Sequence, residues 1–298
     1  MTTICFQNDK IILLFGKHSG KSIFVSSVKV AELSEGSVIN GVVTDRTAVS
    51  QALIELSRQA SPRIKRAALI LDSSLVYSRQ AVIPLTSKKR TDIIVANEFS
   101  EHELRDKELV FDYSFIGRQE GEKSISVLCY AVEKSFVGSF IELFKEAGIG
   151  LSSIDISTNC IVKYMRMMRV LNEKSYIVSV VDKNAISLYL FTGNVYYYSV
   201  KGRLLSEKGT LDFYQEISSQ ISSIIQFNKS QRNGFEISDV FLCGLESSYA
   251  AECAAFISDL GINTAPVFIF NNIIERKKGS SSVSASDYLY NIGGLIGR

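Results

Sequence analysis

The chain has 298 residues, with 33 basic and 31 acidic side chains and a hydrophobic fraction of 46%. That length suits two domains, or one fold built from two similar halves, and the apolar content excludes a disordered chain. A net charge of +2 without a basic stripe excludes nucleic acid as a partner, and Lys88-Lys89-Arg90 reads as the start of a solvated helix face.

Ile4 to Phe6 is a short apolar strand, turned by Gln7-Asn8-Asp9 into a second strand from Lys10 to Phe15. After a glycine-containing turn, Ile23 to Val30 alternates as a half-buried strand. Asp45 can cap a helix whose Val49, Leu53, Leu56 and Ala60 share one face. Pro62 ends that helix, and Ala67 to Leu71 is a buried strand. A different block follows. Leu75 to Ile83 is a strand, Thr86 to about Ser100 a helix, and Leu109 to Ile116 and Ser124 to Tyr130 are strands around a turn at 117–122. Lys134 to Ala147 is a helix closed by Gly148, before Ile154 to Ile156. Thr158 to Leu171 is a further helix.

The opening order then returns. Tyr176 to Val181, Ile186 to Phe191 and Val195 to Val200 are three strands, joined by Asp182-Lys183-Asn184 and by Gly193-Asn194, a two-residue hairpin signal. A long helix carries Tyr214, Ile217, Ile221, Ile224 and Ile225 on one face. It breaks at Asn233-Gly234, and Val240 to Cys243 is the next buried strand. Residues 1–72 therefore read as a first half, 73–156 as an inserted α/β subdomain, and 157–298 as a connecting helix and second half.

The five cysteines lie in apolar stretches without metal-ligand spacing, as small buried hydrophobes in a reducing compartment. The first ten residues lack a signal-peptide pattern, and no apolar run approaches the roughly 18 residues of a membrane span. A cytoplasmic location follows, with membrane association only through partners. Gly16 to Ser22 imitates a P-loop, but three residues separate its glycines where four are required, and a strand follows instead of a helix. It reads as a hairpin turn. His18 and His102 are the only histidines. His102 stands among Glu101, Glu103 and Asp106 without a second ligand set, so neither a metal centre nor a catalytic triad can be composed.

Three meandering strands, a helix and a strand, present twice around an insertion, resemble the actin-like (RNase H-like) fold, and in particular the PilM family of type IV pilus assembly proteins. The likeness runs through Asn40-Gly41-Val42-Val43-Thr44-Asp45, Arg79 to Pro84 with Lys88, Lys89 and Asn97-Glu98-Phe99, and the closing Asn291 to Arg298. In nucleotide-binding members of this fold a strand ends in Asp-x-Gly beneath the phosphates. The Asp holds Mg²⁺ through water and the Gly lets backbone N–H groups approach. The alignment puts Cys5 at that Asp and Gln7 at that Gly. In the second half Asp182 remains, Asn184 takes the Gly position, and Gly244 alone stands where paired glycines face the adenine. Asp182, Asn184 and Gly244 are therefore the candidate residues of a degenerate nucleotide site. Asp182 reads more readily as an ordinary turn aspartate capping a hairpin, and Gly244 equally well as a strand-to-helix turn.

The resemblance implies a scaffold: a pseudo-ATPase with no required cofactor, ATP and Mg²⁺ being the ligands a residual site would take. Its implied partners are the N-terminal cytoplasmic tail of a PilN-like membrane protein and the pilus assembly ATPases. Head-to-tail association into a homo-oligomer is open to the fold. The alternative is an active ATP-binding member, either an FtsA-like filament protein or a kinase. Cys5, Gln7, Asn184 and Cys243 count against the enzyme, and the lack of an amphipathic helix after Arg298 counts against the filament protein.

Overall fold

The computed structural model describes all residues except 61–62, 102–103, 105, 118–122, 233, 267–273, 277–285 and 298. Pro62, His102, Glu103, residues 118–122 of the turn at 117–122, Asn233 and Arg298, all read from the sequence above, lie outside the described residues.

The first apolar segments pair as expected. β1 (Thr2–Phe6), β2 (Lys10–Ser19) and β3 (Ser22–Glu32) form an antiparallel meander. Ser19 pairs with Ser22, so Gly20-Lys21 is a two-residue hairpin turn and the P-loop imitation is a β-ribbon. A small hairpin, β4 (Val38–Ile39) and β5 (Val42–Val43), leads to α1 (Arg46–Gln59). The Asp45 carboxylate accepts the Ala48 N–H at 3.0 Å, the helix cap expected from its position. α1 buries Val49, Leu53 and Leu56, and β6 (Arg66–Leu71) then runs parallel to β1.

The insertion is narrower than 73–156. β7 (Tyr77–Pro84), β8 (Leu109–Gly117) and β9 (Ser124–Glu133) make a separate three-stranded sheet, in the order β7-β9-β8, with α2 (Lys88–Asn97) packed on one face. The next two elements leave it. α3 (Lys134–Glu146) packs Phe140, Leu143 and Phe144 into the core of the first half, and β10 (Gly150–Ile156) adds parallel to β6. The physical reason lies in their apolar faces: α3 sets Phe140 edge-to-face against Phe6 at 5.5 Å between ring centroids, a contact available only on the first sheet.

α4 (Ser157–Arg166) and a single 3₁₀ turn (Arg169–Leu171) enter the second half. β11 (Tyr176–Asp182), β12 (Ala185–Thr192) and β13 (Val195–Arg203) repeat the meander. α5 (Leu211–Ser230) follows, with β14 (Asp239–Cys243) parallel to β11. α6 (Ser247–Ser258) and β15 (Asn263–Pro266) complete a sheet ordered β13-β12-β11-β14-β15. The first sheet, β10-β6-β1-β2-β3-β16, has the same arrangement plus one strand. That strand corrects the assignment of 157–298 to the second half, because β16 (Ile274–Arg276) crosses back to pair with β3.

α7 (Leu289–Gly294) also returns, packing against α4 and the first sheet. Asn291 is buried and gives its amide protons to the Thr3 and Ile12 carbonyls at 3.3 and 3.2 Å. Gly293 lies so close to α4 that any Cβ would collide with the Cys160 carbonyl. The closing motif of the sequence is thus a packing device. One core links both sheets through α4 and α7, drawing on Cys5, Leu14 and Ile70 from one side and Tyr176, Phe191 and Phe241 from the other. All five cysteines are free and buried, as their apolar surroundings require. Among the described residues, no helix is long and apolar enough to cross a membrane.

Candidate functional site

The two meanders present their first turns to one another, because β1 and β11 hold equivalent central places in the two sheets. Between the halves lies a cleft of about 850 Å³, lined among others by Gln7, Asp9, Asp182, Gly244, Glu246 and Asp287. Asp182 and Gly244 therefore line the same cleft. Asn184 is not part of that lining. It is exposed, and its carbonyl accepts the Leu204 N–H at 2.8 Å within its own half. The left-handed residue of this turn is Lys183 at φ 51°, one position before Asn184.

Gly244 has φ 76°, and a Cβ there would run into the Val181 carbonyl. Only glycine lets β14 turn into α6 while its backbone crosses that of β11. Its own N–H donates to the Ser286 carbonyl at 3.0 Å, so the backbone at this turn is already engaged.

Asp182 does more than cap its hairpin. Its Oδ2 accepts the backbone N–H of Asn8 at 3.0 Å, a bond between residues 174 apart that ties the second meander directly to the first. The Asn8 Oδ1 in turn accepts the Asn40 N–H at 2.9 Å, which extends the clasp to the turn before α1. The other carboxylate oxygen of Asp182 is buried without a hydrogen-bond partner. Burial lifts this carboxyl from its ordinary 3.8 to about 6. The Asn8 bond opposes that lift, the Asp72 and Asp9 charges add to it, and Lys201 opposes it.

A second clasp lies across the core. Lys201 on β13 sets its ammonium 2.9 Å from Asp72 Oδ2, just beyond β6, and Ser157 donates to Asp72 Oδ1 at 2.8 Å. Lys183 adds an exposed ion pair to Glu35 at 3.2 Å. Neither Asn8 nor the Asp72–Lys201 pair was singled out from the sequence. The one local signal was the polar Gln7-Asn8-Asp9 turn between two apolar strands.

At the first turn, Cys5 is buried and its thiol is pushed well up, by burial first and then by Asp72 and Asp182. It is a neutral, weakly polar group where the fold's cation-binding members carry a carboxylate. Gln7 is buried as well and occupies the cleft wall. The lining carries the carboxylates of Asp9, Glu32, Asp182, Glu246 and Asp287 against Lys10, Lys183 and Lys208. Lys208 is paired with Glu246 at 3.1 Å, and Lys183 with Glu35. Asp9 is the carboxylate of the first turn, and the lining as a whole carries more acidic than basic side chains, which disfavours a polyphosphate that arrives without a bridging cation. Among the described residues, no group of three or more His, Cys, Asp or Glu side chains is placed to hold a metal.

No family model matches the chain, and no curated protein matches it by sequence. Solved structures do resemble it. A chain of a PilM–PilN type IV pilus biogenesis complex superposes with a TM-score of 0.77 at 16% identity, covering 98% of this chain and 96% of that one. A Bacteroides thetaiotaomicron protein with an actin-like ATPase fold and unknown function gives 0.50 at 13% identity, over 92% and 91% of the two chains. The chain has the actin-like ATPase fold.

Proposed function

We propose that the chain is a nucleotide-independent adaptor of a type IV pilus inner-membrane assembly platform, which captures the N-terminal cytoplasmic tail of a PilN-like membrane protein. The observation that carries this reading is the likeness, over almost the full length of both chains, to a protein of the PilM–PilN complex. The cleft supports the non-enzymatic part. Where a working member of the fold would hold phosphates and Mg²⁺ between its two turns, Asp182 is committed to Asn8 and Cys5 contributes no charge. In this role the protein works at the inner face of the membrane through its partner, relays rearrangements of the assembly ATPases, and needs no cofactor.

A tail captured in extended or helical form would order on binding and bury apolar anchors. The test is an anisotropy titration with a labelled peptide copying the tail of the PilN-like protein, with and without Mg·ATP. Saturable binding that ATP does not alter supports the adaptor. No binding of the tail at any accessible concentration refutes it. An ATP-binding reading draws on one feature, the size of the cleft around Asp182 and Gly244.

A further inference from the structure

Lys88, Lys89 and Arg90 serve neither the core nor the cleft. They form the first turn of α2, where unpaired backbone N–H groups already carry partial positive charge, and no acidic residue stands in that turn. All three are exposed, and none has an ion-pair partner among the described residues. A fourth exposed cation joins them, since the Lys123 carbonyl accepts the Leu85 N–H at 2.8 Å and so sets Lys123 beside the entry to the helix.

Large aliphatic side chains stand among these charges. Leu85 is 56% exposed and Ile93 is 54% exposed. Ile93 follows Lys89 by four positions and shares its helix face, away from the buried Thr91 and Val95. Asp92 is the single carboxylate between residues 85 and 93. Cations opposed to the helix dipole beside half-exposed leucine and isoleucine cost stability, and an anionic, partly apolar surface is what this combination complements.

We propose that this end of the inserted subdomain docks on an anionic bilayer, with the four cations over lipid phosphates and Leu85 and Ile93 reaching the acyl boundary. Nucleic acid would use the charges but leave the aliphatic groups idle, since single strands are held on aromatic faces and residues 85–93 contain none. An acidic protein tail would need a groove, and these residues line none of the main grooves of the surface. The inference stands apart from tail capture and gives the chain a membrane contact of its own.

Co-sedimentation with vesicles tests it, using phosphatidylcholine alone and phosphatidylcholine mixed with phosphatidylglycerol. The wild-type protein is expected to bind the mixed vesicles only, and less as salt is raised. At roughly five-fold per basic residue near the surface, K88Q/K89Q/R90Q lowers partitioning on the order of 100-fold. A second variant, L85S/I93S, keeps the charges and lowers partitioning by roughly ten-fold. Circular dichroism and melting establish that each variant is folded, and either one alone is decisive if the other is not. Equal binding to both vesicle types overturns the inference, as does wild-type partitioning by a folded variant. Binding of polyglutamate or DNA with no vesicle binding overturns it too.

Discussion

Replacing Asp182 by Asn isolates the energetic character of the clasp. The carboxylate is 8% exposed, and one of its oxygens has no partner. At roughly 1.4 kcal/mol per tenfold change in proton affinity, the lift from 3.8 to about 6 means that the ionised group costs the fold about 3 kcal/mol. The sign follows from which state holds the proton more tightly. The folded state does, so the cost is absent below about pH 4, where both states are protonated, and grows up to about pH 6. Above that pH it is constant. Asn keeps a carbonyl oxygen for the Asn8 N–H, removes the buried charge, and can turn its NH₂ toward the neighbouring carboxylates. D182N should therefore be more stable than wild type by about 2–3 kcal/mol near neutral pH, with the difference vanishing near pH 4. Urea unfolding of both proteins across that range, with unchanged denaturant slopes, measures it. D182A is the contrast: it strands a buried N–H and forfeits about 1–3 kcal/mol of the same gain. A D182N protein that is less stable than wild type at neutral pH, or that keeps the wild-type pH slope, would refute the assignment of a strained, ionised Asp182.

Two further substitutions probe the joint between the halves. Lys201→Met leaves the Asp72 carboxylate, 9% exposed, with Ser157 as its remaining hydrogen-bond partner. Because Lys201 is itself 21% exposed, the expected loss is about 2–3 kcal/mol, below the roughly 3–5 kcal/mol of a fully buried pair, read from the midpoint of urea unfolding. Gly244→Ala forces a Cβ into the Val181 carbonyl at a left-handed φ, and should cost about 2–4 kcal/mol and lower the melting temperature by several degrees.

The local elements were readable because their signals are local. The alternation of Ile23 to Val30, the apolar face of α5 and the Asp45 cap each depend on neighbours within a few residues. The Gly193-Asn194 turn likewise carries its own left-handed requirement, with both residues at positive φ. Long-range pairing has no such signature. Nothing near Gly150 to Ile156 says that this strand continues the first sheet, or that residues 274–276 cross back to β3. The insertion was drawn too wide for that reason. At the cleft, the Asp182 and Gly244 positions followed from the repeated order of strands. Asn8 did not, since its partner lies 174 residues away and the contact uses a backbone N–H that no side-chain pattern encodes. Asn184 takes the Gly position by alignment with Asp-x-Gly, whereas the left-handed turn falls on Lys183, a residue type with no preference for it.

The adaptor account meets its most direct test in calorimetric titration of the intact protein with Mg·ATP, first alone and then saturated with the PilN-like tail peptide. The account predicts no binding heat from Mg·ATP in either sample and an unchanged affinity for the peptide. Saturable Mg·ATP binding in the micromolar range would contradict it, and would make the cleft at Asp182 and Gly244 a working nucleotide site.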